Sequence, residues 1–142
     1  MTAGLPAPRP CASCPYRRDA PSGVWAAEEY AKLARYDAET MLQPIDLFLC
    51  HQHDPDAARA RICAGWLGCH GGDELAAVRW ATAAGHITAE DSATVRTYAS
   101  PVPLFGSGAE AAAHGLAALD TPGPVARQAI GKIERRRSHD RT

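Results

Sequence analysis

Five cysteines fall in a chain of 142 residues, and four of them read C-x2-C-x35-C-x12-C: Cys11, Cys14, Cys50 and Cys63. This pattern constrains the fold most. The cysteine count is odd and no secretory leader opens the sequence, so the chain reads as cytoplasmic. A disulfide framework is therefore a poorer reading than metal binding or redox chemistry. A C-x2-C pair lets one tight turn aim two thiolates at a single ion. Four thiolates are a common donor set for a structural zinc ion, tetrahedral with bonds of about 2.3 Å. The same four suit a [4Fe–4S] cluster. The two widely spaced halves of the set, and the lack of a redox-partner motif, lean toward Zn2+. The Cys14-Pro15 step leans toward iron–sulfur. Buried free cysteines also occur simply as small apolar residues.

Other donors lie close by. His51 and His53 flank Cys50, and His70 follows the fifth cysteine, Cys69. Any of these can replace a cysteine ligand, with Cys63 the first to be replaced. His51, beside a ligand, is also placed to support the site from outside. Arg17 and Arg18 follow the C-x2-C and can offset thiolate charge or face an anionic partner.

The rest of the chain predicts a small, mostly helical α+β single domain, nucleated by the metal, with one or two short strands. Three prolines and no periodicity make residues 1–10 an extended arm. Residues 11–126 read as the metal-binding globular domain, and 127–142 as a basic helix end or tail. The first helix is expected to start near Ser22, with Ser22 as its cap. The apolar run Ile45–Cys50 is expected to be a central strand. Gly-rich ICAGWLGCHGG reads as a turn or short helix. Asp73 is expected to cap a helix ending before Gly85. Thr88 with Asp91, and Ser107 with Glu110, resemble capping boxes. Pro124 can open the last helix. Trp25, Trp66 and Trp80 are expected in the core.

Charge is near balance, net -1 overall, which excludes a wholesale polyanion binder. It is unevenly spread. From Arg127 onward six Arg or Lys stand against two Asp or Glu, while nine stand against fourteen before it. ERRRSHDR is either a solvated helix end or a weak, salt-sensitive nucleic-acid contact. No apolar run approaches the roughly 18 residues of a membrane span. No phosphate-binding glycine loop, HExxH or GxSxG is present.

The strings CASCPYRRDAPSGVW, FLCHQ, CAGWLGCH and SPVPLFGSGAEAAAHG, together with EYAKLARYD, resemble a family of small uncharacterised proteins of actinobacteria and their phages, a domain of unknown function. The likeness spans roughly residues 10–137. It implies cysteines at the positions of Cys11, Cys14, Cys50 and Cys63, followed by the Gly65-Trp66 step, and implies no activity. Three functions stay open: a metal-stabilised binding or regulatory module with a protein partner; an iron–sulfur redox or sensor protein; and a zinc enzyme using His53, His70 or Asp54 as base.

Overall fold

The computed structural model describes residues 3–52 and 60–140. Its backbone is mostly helical, a small single domain with six α-helices among the described residues: α1 Ala27–Leu33, α2 Ala64–His70, α3 Ala76–Ala83, α4 Ala89–Arg96, α5 Gly108–Leu116 and α6 Pro124–Asp140. Single-turn 3-10 segments at Ala34–Asp37, Thr40–Leu42 and Gly72–Glu74 join them. Among the described residues no helix is long and apolar enough to cross a membrane.

Extended structure is sparser than the sequence suggests. Leu49 pairs antiparallel with Ile62, and Gly4 pairs parallel with Arg61. The middle stretch of this small patch is therefore 61–62. The expected central strand over 45–50 is one of its edges and contributes a single bridge. The arm is not free either, because Gly4 accepts from the Ile62 amide at 3.1 Å and Tyr98 Oη donates to Pro8 O at 3.0 Å.

Local chemistry explains the later helices. The Thr88 and Ser107 side chains accept from the amides of Asp91 and Glu110, capping α4 and α5. Two other expected caps are corrected. Ser22 does not start a helix. Its hydroxyl donates to His114 O at 2.6 Å and accepts from the Ala118 amide at 2.9 Å, closing the far end of α5. Asp73 does not cap α3, whose first amide, from Ala76, donates to Gln43 Oε1 at 3.0 Å. Gly85 follows α3 with φ +81°, a left-handed stop that suits glycine.

Helix α1 lies against α5, and glycines allow the approach. A Cβ on Gly115 would overlap the Tyr30 ring, and one on Gly108 would overlap Leu33 O. The core gathers Tyr16, Tyr30, Leu33, Trp66, Leu67, Leu75, Val78 and Val95, all at most 1% exposed. Trp25 and Trp66 are buried as expected. Trp80 is not: it is 47% exposed and stacks on His86 at 5.5 Å, because α3 turns Ala77, Val78 and Ala81 inward.

Candidate functional site

The C-x2-C segment folds back on itself. The Cys14 amide donates to Cys11 O at 2.9 Å, and the Arg17 amide to Cys14 O at 3.0 Å. Side chains fix the loop from outside. Trp25 Nε1 donates to Ser13 O at 3.0 Å, and Arg17 Nη1 donates to Pro10 O at 3.0 Å while Arg17 pairs with Asp19. Arg17 therefore clips the loop, whereas Arg18 reaches away to Leu104 O and the Phe105 ring. The other two cysteines arrive on neighbouring extended stretches. The Cys50 amide donates to Arg61 O at 2.7 Å, and the Cys63 amide to Phe48 O at 2.9 Å. These cross-bonds carry cysteines 13 positions apart to one place, at the start of α2.

The sulfurs meet there in sequence. Cys14 Sγ lies 3.8 Å from Cys63 Sγ. The Cys11 thiol lies near those of Cys14 and Cys50, each of which acts on its protonation. The four thiols thus run Cys50, Cys11, Cys14, Cys63, and all are free. Among the described residues no group of three or more Cys, His, Asp or Glu side chains already has metal-ligating geometry. Of these thiols, Cys14 and Cys63 sit at hydrogen-bonding spacing.

Electrostatics favour the protonated form of Cys11, Cys14 and Cys50. The hydrogen bond with Cys14, together with burial, pushes the Cys11 thiol up to about 11, against a smaller opposing effect from Cys50. At Cys14 the bond from Cys11 lowers the value, but the bond with Cys63 and burial outweigh it and hold the thiol well above its ordinary range. Cys50 is raised by its bond with Cys11 and by burial. A cation entering here displaces protons from these thiols.

Gly65 makes the close packing possible. A Cβ there would overlap Cys14 Sγ and come within 2.9 Å of Tyr16 Cβ. The Gly-Trp step therefore serves two purposes: Gly65 leaves room for the sulfur, and Trp66 closes the core behind it at 0% exposure.

The remaining candidates are placed elsewhere. Cys69, at the end of α2, sits near Asp37 and Glu110, and burial pushes its thiol up to about 12. His70 Nε2 is 3.2 Å from Tyr16 Oη, and Nδ1 is 3.7 Å from Asp37. Burial lowers its pKa. His51 Nε2 pairs with Glu29 Oε2, a partner that no sequence signal marked. Arg137 Nη2 donates to His51 O at 2.7 Å, and its guanidinium lies over Trp25. His53 and Asp54 lie outside the described residues.

A family model matches residues 6–137, described as a family of unknown function, DUF6283. The chain belongs to that family. Comparisons with curated proteins and with solved structures each found no match. Within this DUF6283 domain, the residues brought together are the four spaced cysteines, with Gly65 and Trp66 packed behind them.

Proposed function

We propose that the DUF6283 domain is a metal-binding module in which Cys11, Cys14, Cys50 and Cys63 hold one structural zinc ion, and that the helices carry a binding or regulatory role. The observation that carries the reading is the 3.8 Å separation of Cys14 and Cys63. Zinc–sulfur bonds of about 2.3 Å in a tetrahedron require sulfurs about 3.8 Å apart. One edge is therefore already at ligating length. The space beside Gly65 fits the same reading, since a sulfur must be admitted where any side chain would exclude it.

Four thiolates fill a tetrahedron and leave no open position for water, which supports a structural ion over a catalytic one. They also leave a charge of about -2 on the site. Arg136, close enough to lower the Cys50 pKa, and Arg17, beside Cys11 and Cys14, supply offsetting charge. A [4Fe–4S] cluster binds each cysteine to a different iron and sets the sulfurs farther apart than 3.8 Å.

Elemental analysis of the purified protein tests the proposal. It expects a colourless protein with one zinc per chain, lost in Cys14→Ser. Brown protein with iron and inorganic sulfide would replace zinc by a cluster. Metal-free, fully folded protein would end the proposal.

A further inference from the structure

The face that α6 turns toward the cysteine loop is unusual. Val125, Ala129 and Ile133 form one stripe at i, i+4, i+8, as expected of a packing face. Gln128, Lys132 and Arg136 form a second stripe beside it at the same spacing, and both stripes line one groove of about 420 Å3. Cys11, Ser13 and Gln52 form the opposite wall. Gln52 Nε2 donates to Ser13 Oγ at 3.0 Å, which fixes its amide at the rim. The Arg136 end lies next to Gln52, since the adjacent Arg137 bonds His51 O.

Gln128, Lys132 and Arg136 stay solvent-exposed along the rim of this groove, and the space they border is within the size range of small-molecule sites. Lys132 and Arg136 are its cations and no carboxylate is among its lining residues, although Cys11 of the proposed metal set lies in the opposite wall. Lys and Arg one helical turn apart can share a doubly charged oxyanion. The neighbouring apolar stripe needs a ligand that is not charged throughout.

We propose that this groove binds an organic phosphate, with the phosphoryl group between Lys132 and Arg136 and an apolar body along Val125, Ala129 and Ile133. The groove shares Cys11 and Arg136 with the proposed metal centre, so binding is read together with metal content. It gives Lys132 and Arg136 of the basic C-terminal run a defined job.

Phenyl phosphate is the probe, titrated calorimetrically into the full chain, with metal content measured on the same sample. Saturable binding is expected, at least tenfold tighter than for inorganic phosphate. Lys132→Gln with Arg136→Gln should weaken it at least tenfold while helix content by circular dichroism is unchanged. Gln128→Trp, which fills the groove without altering charge, should weaken it too. Binding that is absent, indifferent to both variants, or equal for inorganic phosphate overturns the proposal. So does a double variant that loses zinc when the wild type binds no probe, because the cations then serve only the thiolates. Saturable, variant-sensitive binding by a zinc-free preparation supports the groove and removes the metal reading separately.

Discussion

Among the described residues from Ala3 to His70 the DUF6283 chain forms two helices of seven residues each, and neither has a side-chain cap. From Gly72 to Asp140 it forms helices of eight, eight, nine and seventeen residues, two of them capped by their own Thr or Ser. The first stretch is held by bonds between distant segments: Cys50 to Arg61, Cys63 to Phe48, Gly4 to Ile62 and Trp25 to Ser13. In the second, helix starts and stops are set by neighbours in sequence, although α5 also packs on α1 and accepts the Asp37 strut. Short uncapped helices are marginal on their own. The first half therefore depends on whatever joins its segments, and the sulfurs lie at that junction. A structural zinc contributes on the order of 10 kcal/mol, against about 1 kcal/mol for a helix cap.

The contrast can be broken at the cysteine junction itself. Gly65→Ala places a methyl group against Cys14 Sγ and Tyr16. Overpacking costs about 1–3 kcal/mol or more, and here it also displaces a thiol. The expected result is loss of bound zinc together with a fall in stability. Gly108→Ala, which meets Leu33 O in the α1–α5 contact, should lower stability comparably but keep the zinc. Urea denaturation with metal analysis of both variants checks this.

A smaller effect tests the strut between the halves. Asp37, in the first half, accepts from the amides of Gly108 and Ala109 at 2.7 and 2.9 Å, at the start of α5. Asp37→Ala should cost about 1–3 kcal/mol, since two charge-assisted bonds are lost at a helix N-terminus. The smallest change is local. Ser107→Ala removes the α5 cap and should cost about 1 kcal/mol, with zinc content unchanged. A loss of zinc in Ser107→Ala would mean that the two halves are not separable.

Where structure follows from neighbours in the chain, the sequence was readable. The boxes at Thr88 and Ser107, the Pro124 start and the Gly85 stop need only nearby residues. The approach of Cys14 to Cys63 fits the spacing read from the sequence. Ser22 and Asp73 misled because their residue type suits a cap, yet Ser22 finds acceptors 92 and 93 positions away. The stretch 45–50 misled because an apolar run does not reveal how many partners it pairs with. Glu29 gave no sign, since a glutamate on a surface-type helix looks the same whether or not His51 faces it. Lys132 and Arg136 gave no sign of bordering a groove, since only the placement of α6 beside the cysteine loop sets them there.

Limited proteolysis of metal-loaded and chelator-treated protein tests the central claim most directly. The arm has its own anchors at Gly4 and Pro8, so the first cuts on metal removal should fall in the cysteine loop and the coil after it, roughly residues 11–25. On the proposed reading the ion is what ties the turns of this loop together, even though Tyr16 and Trp25 are buried. Helices from Ala76 onward should survive as one protected fragment. Identical cleavage with and without metal would contradict the account, and the four thiols would then have to be explained by their own chemistry.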